Sequence, residues 1–150
     1  MKPYLLMAAA LVLMAAPAEK PMKQFLNPDG VTKPAGLGYT QVVTSRPGRM
    51  IFISGQGGLP APGGTMPEDF ATQAKNTFEN IGRCLKAAGA TFNDIVKINY
   101  YVTDMNNTAE LRRIRAQYLN QSTPPASTLI QTGLGRGMLL EVEAVAIVPD

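Results

Sequence analysis

Apolar residues along the chain follow two rhythms, and the alternation between them sets the expected fold. Phe70, Ala74, Phe78, Ile81, Leu85 and Ala88 recur every three or four positions, the spacing that lines one face of an α-helix. Pro67 opens that segment, Glu68 and Asp69 suit the positive end of a helix dipole, and Gly89 supplies a C-terminal stop. Leu111, Ile114 and Tyr118 repeat the rhythm in a second helix. Asn107-Thr108-Ala109-Glu110 is expected to open it as a capping box, and Pro124-Pro125 to close it.

Elsewhere the apolar residues are β-branched or aromatic and come in short runs. Gln41 to Ser45, Met50 to Ser54, Asp94 to Thr103, Ala126 to Thr132 and Leu139 to Val148 read as strands. Arg46-Pro47-Gly48 predicts a hairpin between the first two, Gly55 to Gly64 is a Gly/Pro loop, and Gly133 to Gly137 divides the last two. Pro21, Pro28, Pro34 and several glycines predict an irregular lead-in over residues 19–38. The predicted domain, residues 39–150, is therefore α+β, in the order ββαβαββ with both helices on one face of a sheet. So small a chain must cover or pair the other face, and self-association is the natural solution.

The first residues stand apart from this pattern. Lys2 precedes an apolar run from Leu5 to Ala16, followed by Ala16-Pro17-Ala18, the arrangement of a secretory signal peptide. The run falls short of the ~20 apolar residues that span a bilayer. Cleavage after Ala18 would place the chain from Glu19 onward in the periplasm or outside the cell, with no stable membrane insertion. An uncleaved anchor or apolar N-terminal helix is the alternative.

Charge and composition narrow the chemistry. Over 150 residues the formal net charge is +3, and apart from Arg112, Arg113 and Arg115 the basic residues are scattered, unlike the clustered footprint of a nucleic-acid binder. The chain has no His and one Cys. Ser–His and Cys–His nucleophile pairs, His general bases, His-liganded zinc and thiolate zinc sites are thereby excluded, and Cys84 reads as a buried thiol. No phosphate-binding glycine pattern occurs. Catalysis is left to carboxylates, Arg, Tyr, backbone groups and water. Glu141 and Glu143, two apart on the last strand, point to the same sheet face.

Short segments in a fixed order match one family. They are Ile53-Ser54-Gly55-Gln56, Gln73-Ala74, Asn80-Ile81, Leu85 to Ala90, Asp94 to Lys97, Tyr101 to Asp104, Pro125-Ala126 and Glu141 to Ala146. From Tyr39 to Val148 the chain resembles the Rid/YjgF family of reactive-intermediate deaminases. The resemblance implies a chorismate-mutase-like homotrimer, with an inner barrel of sheets and small-molecule clefts between adjacent subunits. It also implies hydrolysis of imines and enamines to carbonyl product and ammonia without metal or cofactor. Older family labels speak of translation inhibitors or endoribonucleases; ribonuclease chemistry suits a chain without His poorly.

Residue by residue, the resemblance makes Glu141 the carboxylate that positions the attacking water, Tyr39 the cleft tyrosine, and Ser54 a residue near the cleft. Ser127 departs from it, because deaminating members carry an Arg directly after Pro-Ala to clamp the substrate carboxylate. Losing that bidentate contact costs about 1.5–3 kcal/mol, or roughly ten- to 150-fold in affinity. Arg115, at a polar cleft position of the second helix, is expected either to take over the clamp or to be a solvated surface Arg beside Arg112 and Arg113. Two readings follow: an imine or enamine hydrolase of altered substrate preference, or a non-catalytic trimeric small-molecule-binding protein.

Overall fold

The computed structural model describes residues 21–60 and 63–150; the predicted leader, residues 1–18, lies outside them. Among the described residues six strands and two α-helices follow in the order β1 (Lys23–Leu26), β2 (Val42–Ser45), β3 (Arg49–Gly57), α1 (Phe70–Ala87), β4 (Ile95–Val102), α2 (Thr108–Arg115), β5 (Ala126–Gln131) and β6 (Leu140–Val148). The main sheet runs β3-β6-β4-β5. In it β6 is antiparallel to both β3 and β4, and β5 is parallel to β4 through the α2 crossover. A separate antiparallel pair joins β1 to β2.

Period-two patterning assigns the faces of this sheet. Leu140, Val142, Ala144, Ala146 and Val148 of β6, with Ile98, Tyr100 and Val102 of β4, are buried beneath the helices. Phe70, Ala74, Phe78, Ile81 and Leu85 of α1 meet them, as the helical rhythm predicts. The residues between them, including Glu141, Glu143, Lys97, Asn99 and Tyr101, are half-buried on the opposite, open face.

Helix α1 starts at Phe70, three residues after Pro67, because the Asp69 side chain caps it by accepting from the Thr72 N–H at 2.8 Å. It ends as Gly89 turns left-handed at φ 68° and the Ala90 N–H returns to the Leu85 carbonyl at 2.8 Å. Chiefly because of the Thr72 N–H, the Asp69 carboxyl is held below its ordinary value of 3.8. Its contribution to stability is therefore present above that value and lost as pH falls through the depressed one. Asp69→Ala is expected to lower Tm at pH 7, with the difference from wild type vanishing in strong acid, as calorimetry at both pH values would show.

Four local expectations give way. The lead-in carries β1, because Pro21 and Pro28 bracket rather than interrupt the proline-free run Lys23–Leu26. The predicted hairpin across residues 46–48 does not form: β2 pairs with β1, and β3 pairs with β6. There Gly48 passes so close to the end of β6 that a Cβ would lie 2.3 Å from the Val148 carbonyl oxygen. The capping box at Asn107 is absent. That residue is helical at φ −78°, ψ 0° and makes no side-chain cap, because a preceding 3₁₀ turn, Met105–Asn107, is capped by Asp104. Helix α2 ends at Arg115, well before Pro124, and Tyr118 stacks on Phe78 from the following turns with ring centroids 5.0 Å apart.

Candidate functional site

The strand register places a polar cluster on the open face. Tyr101 lies opposite Glu141, and Asn99 opposite Glu143, across the β4–β6 pair. Glu143 Oε1 accepts from Asn99 Nδ2 at 2.9 Å and from the Tyr101 hydroxyl at 2.9 Å. Both bonds favour the ionised carboxylate, Asn99 most, and hold Glu143 below the usual range, while the bond to Glu143 is the chief cause that raises the Tyr101 hydroxyl. Lys97 turns aside to donate to Thr128 Oγ1 at 2.8 Å.

Glu141 is in a different state. Among the described residues its side chain accepts no hydrogen bond and joins no ion pair, and its carboxylate rests over Gly55 of β3. A Cβ there would lie 2.0 Å from Glu141 Oε1, so the strand admits the carboxylate because residue 55 has no side chain. Of the two carboxylates, Glu143 is occupied by the protein and Glu141 is available. Beside them Phe52, Ser54, Lys97, Asn99, Glu143 and Val145 line a hollow of about 320 Å³.

The remaining candidates lie elsewhere. Tyr39 lines a hollow of about 570 Å³ with Lys33, Gly38, Thr40, Gln121 and Ser122, beside the turn where Thr40 Oγ1 donates to the Pro124 carbonyl at 2.6 Å. Ser127 pairs with the buried Ile98 and so belongs to the helix face of β5, the edge strand. Arg115 is neither a solvated surface residue nor an open clamp. It is 6% exposed, its guanidinium donates to the Leu37 carbonyl, and it lies 5.2 Å from the centroid of the Tyr100 ring. Its aliphatic stem packs into the helix-side core and carries the planar guanidinium with it, an outcome that the presence of an Arg in the sequence does not reveal.

One chain thus separates the candidates, with Glu141 and Ser54 on the open face and Ser127 and Arg115 on the helix face. Sequence reasoning missed Asn99, Tyr101 and Gly55. The alternation of Asn99 and Tyr101 along β4 was a signal that they share a face, but their partner strand was not. Among the described residues no group of three or more His, Cys, Asp or Glu side chains is placed to hold a metal ion. Cys84 is only partly buried against the core.

Comparison with known proteins agrees with this architecture. The family described as Endoribonuclease L-PSP matches residues 31–148. A mouse protein named 2-iminobutanoate/2-iminopropanoate deaminase is 38% identical over 116 residues, which is 76% of this chain and 84% of that protein. A Yersinia pestis structure, YyfB of the conserved Rid protein family, superposes with TM-score 0.72 at 26% identity, covering 85% of this chain and 100% of that one. RidA from an Antarctic Psychrobacter superposes with TM-score 0.64 at 31% identity, covering 83% and 99%.

Proposed function

Because the chain belongs to the Rid/YjgF, or endoribonuclease L-PSP, family, we propose that it hydrolyses imines or enamines to a carbonyl compound and ammonia. The observation that carries this reading is the contrast between the two carboxylates: Glu143 is held by Asn99 and Tyr101, whereas Glu141 keeps its oxygens for a ligand. In the proposed reaction Glu141 accepts a proton from a water that adds to the imine carbon. Glu141 hands that proton to the imine nitrogen to complete the neutral carbinolamine, whose hydroxyl proton then passes through Glu141 to the nitrogen as the carbon–nitrogen bond breaks, so that ammonia leaves, the carbonyl forms and the carboxylate is restored. Imine plus water gives carbonyl plus ammonia, with no oxidant or cofactor. Relatives named as 2-iminobutanoate/2-iminopropanoate deaminases support the chemistry.

The working unit we propose is a homotrimer with clefts between subunits. Phe52 is 72% exposed, Met50 53% and Ile130 45%; register puts Phe52 and Ile130 on the open face with Glu141, where water contact is costly and a second copy would relieve it. Candidates on opposite sheet faces of one chain can meet only across such a junction. With Ser127 where deaminating relatives have Arg, the substrate preference is proposed to differ from theirs. The same Ser127 favours the second reading, a non-catalytic small-molecule-binding trimer. We further propose export, with cleavage after Ala18; an intact Met1–Ala18 segment in the mass spectrum of the mature protein would refute it.

The test is hydrolysis of 2-iminopropanoate and 2-iminobutanoate, made in situ by an amino-acid oxidase with semicarbazide as competing trap, alongside an imine lacking a carboxylate. Reduced semicarbazone formation with any of them supports the hydrolase. Failure with all three discards it and leaves the binding protein. Gly55→Ala is expected to push the Glu141 carboxylate aside while the fold survives, because the crowded atoms are the flexible end of one side chain. Hydrolysis should therefore fall with Tm nearly unchanged, and full activity in this variant would place the working carboxylate elsewhere.

A further inference from the structure

The charge of Arg115 is buried without a counter-ion. Among the described residues no carboxylate lies within ion-pair distance of it, and its one hydrogen-bond acceptor is the neutral Leu37 carbonyl. A guanidinium has five N–H donors and no acceptor, and a buried charge without a partner is costly.

A second orphan stands beside it. The Tyr100 side chain is fully buried, and its hydroxyl has no hydrogen-bond partner. Arg115 is close enough to temper the rise in that hydroxyl's pKa, which burial pushes up to about 12. The guanidinium can donate towards the hydroxyl oxygen but, having no acceptor, cannot take the hydroxyl proton. Two buried donors thus converge with no anion between them.

A short strap, residues 34–38, lies over the Arg115 guanidinium. Gly36 and Gly38, both left-handed at φ 73° and 71°, flank Leu37, which is 38% exposed. A turn from the Leu37 N–H to the Pro34 carbonyl closes the strap at 2.6 Å. A Cβ on Gly38 would lie 2.7 Å from Arg115 Nη2, so the guanidinium sits directly behind a residue that lines the Tyr39 hollow. Lys33 lines the same hollow, with its charge paired to Asp29 at 3.0 Å.

We propose that Arg115 and Tyr100 form a binding site for a small carboxylate anion, which enters from the Tyr39 hollow and displaces the Leu37 carbonyl. One carboxylate oxygen replaces Leu37 on the guanidinium, and the other accepts the Tyr100 proton. The site lies on the opposite sheet face from Glu141 and does not rest on the hydrolase reading. Its anion is either free in solution or the carboxylate of a ligand bound between subunits.

Sodium acetate is titrated into the full protein against sodium chloride at matched ionic strength, with calorimetry, Tm and the ¹⁵N-resolved amide shift of Gly38 as readouts. Saturable acetate binding, with the Gly38 amide moving along the same isotherm, is the expected result. Tyr100→Phe should lose about tenfold or more in acetate affinity with no loss of Tm, because it removes only a donor that lacks an acceptor. No acetate response beyond that of chloride, or wild-type affinity in Tyr100→Phe, overturns the proposal. Adding acetate to the imine assay separates the sources: competition with 2-iminobutanoate assigns the site to the substrate's own carboxylate, and binding without competition assigns it to a free anion. Glu141→Ala must still bind acetate even if it hydrolyses nothing, which keeps the fate of this proposal apart from that of the hydrolase.

Discussion

Glu141→Gln is expected to lower kcat/KM for imine hydrolysis by about a hundred- to ten-thousand-fold, the usual worth of a positioned general base. The amide keeps the shape of the side chain over Gly55 but cannot take a proton from water. Because Glu141 has no hydrogen-bond or ion-pair partner to lose among the described residues, Tm should stay where it was. Glu143→Gln provides the contrast. It disturbs the bonds from Asn99 and Tyr101 and should lower stability more than turnover. If the two variants exchange phenotypes, the roles assigned to the carboxylates are reversed; if both retain full turnover, neither is the base.

The largest effect on stability is expected from Phe78→Ala. Phe78 is fully buried, stacked on Tyr118 with 12° between ring planes and tilted against Tyr100 at 6.4 Å. It holds α1, β4 and the turns after α2 to one another. Truncation removes the ring's transfer energy and leaves a cavity between α1, β4 and the turns after α2, at a cost of about 3–5 kcal/mol. Against a typical domain stability of about 5–15 kcal/mol, that is a large share. For a chain of this size it corresponds to a fall in Tm of roughly 10 °C, readable by thermal denaturation. A fall of only a degree or two would mean that the core collapses around the gap.

The two helices differ in how far local sequence decided them. Asp69 caps α1 through its own side chain, and the apolar spacing from Phe70 to Leu85 leaves one face to bury, so both start and orientation were written locally. At α2 the same kind of reasoning misled. Asn107 and Glu110 have capping spacing, yet Asp104 had already closed a turn ahead of them and Glu110 was taken by Arg113 at 2.8 Å. Competing local hydrogen bonds differ little in energy, and neighbouring context chose between them.

The sequence alone determined the composition of the two faces, the alternation of helix and strand, the pairing of Glu141 with Glu143 on one side of β6 and, through ordered motifs from Ile53 to Ala146, the family. These are properties of short spans, governed by side-chain period and by residue types that no other arrangement would bury. Only the tertiary structure decided that β3 joins β6 instead of β2, because strand pairing is settled by long-range competition for edges. It alone showed that Glu143 is spent on Asn99 and Tyr101 while Glu141 remains available over Gly55. It alone carried Arg115 out of solvent and onto Tyr100 beneath Leu37. The state of a charged side chain depends on which distant donors, acceptors and rings arrive beside it, and that is fixed only when the chain has closed on itself.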